Sequence, residues 1–272
     1  MISLANARTL LADRLLSRRS SPLRLRRSAD DVYLAPHSDD IAFSIGSFTR
    51  ARGTGRLLTI FGRSNFTLSP PPATLSIDEV SAIRRAEDLR FAQVCGLEAQ
   101  DDLGLPEAPL RGREPMDGAS APEDLPALSP PILEAVLRLG QKNQPGKRPW
   151  LFAPMALGGH IDHAVVLLML AQHRAAIERR FRLAFYEDLP YAAHYELRVE
   201  GMARFRRAFG IIGWRRHVIP LGATMAGKLE LIGLYGSQHL VKPTDIKEFT
   251  PVCRFSTPPH EAIWIRGWPR RG

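Results

Sequence analysis

Short apolar runs alternate along this chain with longer stretches whose apolar residues recur at helical spacing. Residues 32–35, 56–61, 149–154 and 181–186 are apolar runs of strand length, bounded by Gly, Pro or polar residues, and read as strands. Residues 41–50, 77–95, 131–139 and 164–178 read as the helices between them. The clearest is 77–95. Val80, Ile83, Leu89, Ala92, Val94 and Cys95 approximate one apolar face, Asp78, Arg84, Arg85, Glu87, Asp88 and Arg90 lie largely opposite, and Gly96 closes it. Residues 101–129 are acid-tinged and rich in Pro and Gly, and read as a long loop of the kind that often covers a site. Past residue 190 the pattern weakens to a helix over 196–209, a strand over 216–221, a helix over 225–235 and a short strand over 251–255. The stretches 69–72 and 140–148 read as connectors. No repeat is visible. The alternation predicts an α/β fold, a mostly parallel sheet with helices on both faces. With no composition break, 31–272 reads as a single domain behind a basic extension over 1–30.

Charge refines this picture at the ends. Residues 1–30 carry seven Arg against two Asp, and residues 266–272 add three Arg, so nearly all of the net +9 is terminal. A basic body would suggest nucleic acid or an anionic surface. Here the excess suits solvated tails, although the Arg-, Leu- and Ser-rich start superficially resembles an organelle transit peptide. No apolar run approaches the roughly 20 residues of a membrane span. Cys95 and Cys253 form no disulfide framework, and Cys95 lies on an apolar helix face, which suits a reducing cytoplasm.

The candidate chemistry sits where two strands end. Pro36 ends the first, and His37, Asp39 and Asp40 follow before a helix. Gly159-His160-Ile161-Asp162-His163 follows the strand over 149–154. Open α/β sheets bind ligands outside the carboxyl ends of their strands, so both clusters are expected at one edge. Zinc takes imidazole nitrogen and carboxylate oxygen, and catalytic sites use three protein ligands plus water. Two loops supplying His, Asp and His meet that count. Asp39 is then left as general base toward a metal-activated water. His160 is left to donate to an oxyanion or to protonate the leaving amine. Asp162 either fixes the tautomer of His160 or caps the next helix. Plainer accounts exist: neighbouring histidines arise by chance, and Asp39 or Asp40 would serve as a helix N-cap.

These residues resemble a known family. His37-Ser38-Asp39-Asp40 resembles the His-Pro-Asp-Asp-Glu motif of the LmbE-like, or PIG-L, zinc-dependent N-acetylglucosaminide deacetylases, and Gly159 to His163 resembles their Gly-His-Pro-Asp-His. Arg84-Arg85-Ala86-Glu87-Asp88 with Cys95-Gly96-Leu97, the segment from Tyr186 to Tyr191, and Lys228 with Tyr235-Gly236-Ser237-Gln238 are similar to further family segments in the same order. The resemblance implies a Rossmann-like fold and hydrolysis of an N-acyl, typically acetyl, group from an amino sugar or glycoconjugate, as in secondary metabolism. It implies His37, Asp40 and His163 as ligands of Zn²⁺, with Fe²⁺ an alternative for the same donors. It implies Asp39 as base, His160 at the oxyanion with Asp162 supporting it, and Arg84 near the substrate, where the alternative is a solvated helix charge. Departures are Ser38 and Ile161 for the prolines, Ile41 for the closing Glu, and Gly158 where some relatives place a mobile Tyr two residues before the first His of the second motif.

Competing readings are a metallo-hydrolase of another amide or ester, among them a metallo-β-lactamase-like enzyme whose first histidine would be Gly158, a basic nucleic-acid or membrane-surface binder, and a metal-free sugar binder. The expected partner is a small N-acylated sugar, with neither nucleic acid nor an integral membrane segment. Leu103, Leu105 and Leu110 would suit a greasy aglycone or simply pin their loop.

Overall fold

The computed structural model describes residues 17–18, 25–69, 74–99, 102–140, 148–252 and 258–267. Cys253, the basic tail from 268 and parts of both connectors lie outside them. The strands are β1 (Ser17–Arg18), β2 (Val32–Ala35), β3 (Arg56–Thr59), β4 (Glu98–Ala99), β5 (Trp150–Pro154), β6 (Arg182–Tyr186), β7 (Trp214–Pro220) and β8 (His260–Arg266). The helices are α1 (Asp40–Arg52), α2 (Ile77–Cys95), α3 (Ala121–Leu139), α4 (Ile161–Gln172), α5 (Arg174–Arg180), α6 (Tyr195–Phe209) and α7 (Met225–Ile232).

One sheet runs β1-β7-β8-β6-β5-β2-β3-β4. Every pairing is parallel except those of β8 with β6 and β7. The residues of β2 are all buried, as are the last four of β5 and of β6, because helices cover both faces of this α/β sheet. The chain leaves β2 for β3 on one side and returns to β5 on the other. That reversal is a topological switch point, where the loops after neighbouring strands part and leave a crevice. The two site loops and the segment after β6 all emerge there.

Helix α2 has the expected bounds and begins with a capping box between Ser76 and Glu79. Other expectations need correction. The stretch 101–129 is not loop throughout: α3 begins at Ala121, with Pro122 in its first turn and Pro126, Pro130 and Pro131 inside. An interior proline costs a helix roughly 3 kcal/mol. Burial of Leu128, Ile132, Ala135 and Val136, at helical spacing against the core, offsets that cost. The helix expected over 164–178 is two, α4 and α5, parted at His173, whose φ of −103° leaves the helical range. The strand expected over 251–255 is absent from 251–252, and the rest of it lies outside the described residues. The last strand is β8, buried along His260–Trp264 between β6 and β7. Among the described residues, no helix is long and apolar enough to cross a membrane.

Candidate active site

The turn after β2 carries the first three groups. Asp40 opens α1, and its Oδ2 accepts the backbone N–H of His37 at 2.7 Å, which closes the turn. Asp39 is the N-cap position of α1, yet its side chain makes no capping hydrogen bond, so the plainer account of Asp39 does not hold. After β5, Gly159 takes φ +82°, a left-handed conformation that glycine adopts without steric cost. His160 then caps α4, its Nδ1 accepting the N–H of Asp162 at 3.2 Å.

The loops meet. His163 Nε2 lies 3.2 Å from His37 Nδ1 and 3.3 Å from Asp40 Oδ1, and His37 Nδ1 lies 3.5 Å from Asp40 Oδ2. Ligands about 2.0–2.1 Å from a tetrahedral metal stand about 3.3 Å apart, so these spacings, with Asp40 turning one oxygen to each imidazole, have the dimensions of a metal's donor set. The protonation pattern agrees. His163 Nδ1 faces Asp188 Oδ1 at 2.7 Å and His37 Nε2 faces Asp162 Oδ2 at 3.0 Å. A carboxylate only accepts, so those nitrogens carry protons, and once each ring is neutral its other nitrogen offers a lone pair inward, beside the Asp40 carboxylate. Three converging acceptors require a positive charge between them, and a divalent cation fits. A ring nitrogen of His160 also lies within 4.8 Å of one on His37 and one on His163.

In the metal-free chain a proton takes the place of that cation. Burial alone would lower His163, but Asp40 and Asp188 outweigh it and hold the ring up at about 9. The same contest, with His163 and His37 outweighing burial, holds Asp40 far below the carboxylate range. Burial, then Asp40, pushes Asp39 up to about 6, against the pull of Arg84 and His37. Burial, then His37 and His163, pushes His160 down to about 2, so this ring stays neutral. With Nδ1 accepting from the helix, its proton sits on Nε2.

Asp162 departs from its expected part. Its carboxylate stands 4.0 Å from His160 Nδ1 and does not fix that ring. Fully buried, it accepts from His37 Nε2, from the Ala108 N–H at 3.1 Å and from Arg111 Nη2 at 2.7 Å. Arg84 is no solvated charge: it is 4% exposed, 2.6 Å from Glu107 Oε1 and 2.7 Å from Ser64 Oγ. Leu103 and Leu105 pack against the core and pin their loop.

A 2'-N-acetylparomamine deacetylase of Streptomyces fradiae is 32% identical over 219 residues, covering 79% of this chain and 75% of the relative. The chain belongs to the LmbE-like, or PIG-L, family of deacetylases. No family model matches it. Among solved structures, a zinc-inhibited form of teicoplanin deacetylase Orf2 superposes with TM-score 0.57 at 16% identity, over 87% of this chain and 98% of that one. The A40926 pseudoaglycone deacetylase Dbv21 gives 0.56 at 20%, over 86% and 95%. At such identities the likeness shows the shared fold.

In this LmbE-like chain, reasoning from sequence missed three supports of the site. Asp188 orients His163, and its Oδ2 also accepts the Leu157 N–H at 3.1 Å. Its signal was available, since Asp188 lies two residues past a buried parallel strand whose end borders the same crevice. Arg111 stacks on Phe61 while joining Asp162 to Asp124. Glu107 neutralises Arg84. The last two sit in a stretch whose irregular pattern announced no contact.

Proposed function

We propose that this hydrolase removes the N-acetyl group of an amino sugar within a small glycoside, with His37, Asp40 and His163 holding zinc. The observation that carries the reading is the donor cluster, two imidazole nitrogens 3.2 Å apart with one Asp40 oxygen 3.3 Å from His163 and the other 3.5 Å from His37. When bound, the ion supplies Lewis acidity to the acyl oxygen and to the attacking water. Asp39, raised toward neutrality and uncommitted as a cap, takes the proton from that water as its oxygen adds to the acyl carbon. His160 donates its Nε2–H to the oxygen that gains charge. Because His160 is held neutral down to about 2, it serves as donor and not as acid. The proton on Asp39 therefore passes to the amine as the C–N bond breaks, releasing acetate and the free amino sugar. Asp162 and Asp188 hold the two ligand imidazoles in register. Arg84, neutralised by Glu107, stands beside Asp39 and lines the substrate side.

The S. fradiae relative makes 2'-N-acetylparomamine the first substrate to test. Zinc-loaded protein should release acetate from it or from other N-acetylated 2-amino sugars, and chelation should abolish release until zinc is restored. Undiminished release by metal-stripped protein, or none from any N-acetylated amino sugar, would defeat this reading.

A further inference from the structure

Tyr191 lies in the short 3₁₀ turn that follows β6, half-buried beside the donor cluster. Its ring stands edge-on to His163, with centroids 5.9 Å apart at 90°, and 6.5 Å from the ring of His160. The ring occupies the space that Gly158 leaves open. A Cβ placed on Gly158 would stand 2.1 Å from Tyr191 Cγ and 2.5 Å from its Cβ, far inside van der Waals contact. Gly158 and Tyr191 are therefore fitted to one another, and no larger residue at 158 leaves the ring where it is. Among the described residues, no group accepts the phenol O–H. The phenol oxygen is not among the buried polar atoms sealed in without a partner, so a ligand entering the crevice can reach it.

We propose that Tyr191 is a further substrate-contacting residue, its O–H donating to the acyl oxygen beside His160, and that Gly158 is the positioning residue that seats its ring. The acyl oxygen is the fitting acceptor because it gains charge as water adds. A phenol keeps its proton at neutral pH, so the group donates a hydrogen bond without ionising. His160 supplies one donor, and a developing oxyanion is stabilised by more than one. This inference rests on the deacetylase reading.

The test compares zinc-loaded wild type, Tyr191→Phe, Gly158→Ala and the double variant. Tyr191→Phe keeps the ring and removes the donor. It should retain stoichiometric zinc and a KM within about threefold, with kcat lowered about 10²–10³-fold. Affinity for a methylphosphonamidate analogue of the acetamide should fall by the same factor as kcat/KM, while affinity for the product amine should not change. Gly158→Ala should cost a comparable factor in wild type and nothing more in Tyr191→Phe. An active wild type with Tyr191→Phe unchanged in kcat overturns this inference alone, as does a full additive loss in the double variant. A wild type that releases no acetate overturns the deacetylase reading and this inference with it.

Discussion

His163 Nε2 stands 3.2 Å from His37 Nδ1, and each ring has its other nitrogen committed to a buried carboxylate. Two residues 126 apart in sequence thus bring their ring nitrogens together. The arrangement divides labour between neighbours on the first loop. Asp40 Oδ1 faces His163 at 3.3 Å, whereas the Asp39 side chain makes no capping bond. Replacing His163 by Ala should drop bound metal below about a tenth of stoichiometric, since two donors remain of three. Asp39→Ala should keep the metal and lose turnover by about 10²–10⁴-fold. Elemental analysis beside acetate release decides the matter, and equal metal loss in both variants would refute the division.

The carboxylates behind the two imidazoles should matter for metal affinity. Asp188→Asn and Asp162→Asn each replace a pure acceptor by a group that can also present N–H to the imidazole. Either change should weaken metal binding by about 10–100-fold, read by competition with a chromophoric chelator. Unchanged affinity in both would mean that the rings are held by packing alone.

The activity should have an acid limb set by Asp39. Burial and Asp40 raise this carboxyl to about 6 in the metal-free chain, and a neighbouring cation favours its ionised form. Base catalysis requires that form, so kcat/KM should be flat above about 6 and fall tenfold per unit below the limb. A limb that stays above pH 7 in loaded enzyme would exclude Asp39 as the base.

Asp88 makes stability fall with rising pH. Burial lifts it from 3.8 to about 7, despite hydrogen bonds from Thr59 and Tyr235. The folded chain therefore keeps a proton that the unfolded chain has lost. Its contribution is fully present below about pH 4 and disappears as pH rises through about 7. Asp88→Asn carries no such charge, so the melting temperature of the variant relative to wild type should climb by several degrees between those limits. A constant difference across that range would contradict the assignment.

Lys228 and Glu261 form a fully buried pair, 3.0 Å apart. Glu261 also accepts the N–H groups of Ser47 and Phe48, just past the non-helical Ile45 within α1. Lys228→Met should cost about 3–5 kcal/mol in denaturant unfolding, because it strands a buried carboxylate. Adding Glu261→Gln should recover part of that loss. A single variant as stable as wild type would show that water already reaches the pair.

How much of this was legible beforehand depended on the range of each interaction. Helix α2 was readable to the residue because its cap, apolar face and terminal Gly96 are all local. Both site loops were readable because each follows a buried strand, and parallel strands bring their carboxyl ends to one edge. Helix α3 was hidden by its prolines, whose local preference is overridden by burial of Leu128 and Ile132. The partner of Asp162 was misassigned to the nearby His160, whereas the bond goes to His37, 125 residues away. Glu187 is a stronger case: buried under Arg198, Arg216 and the Trp264 indole N–H, it gave no sign of its role.

By itself, the order of residues determined that imidazoles and carboxylates would stand at the ends of buried strands, because alternation, turn chemistry and strand length are properties of a few neighbours. Only the tertiary structure decided which nitrogen of each ring carries its proton, and that Tyr191 fills the room left by Gly158. Those outcomes depend on which carboxylate or ring a side chain meets across the sheet. Such distances are set by strand order and packing, which no local pattern encodes.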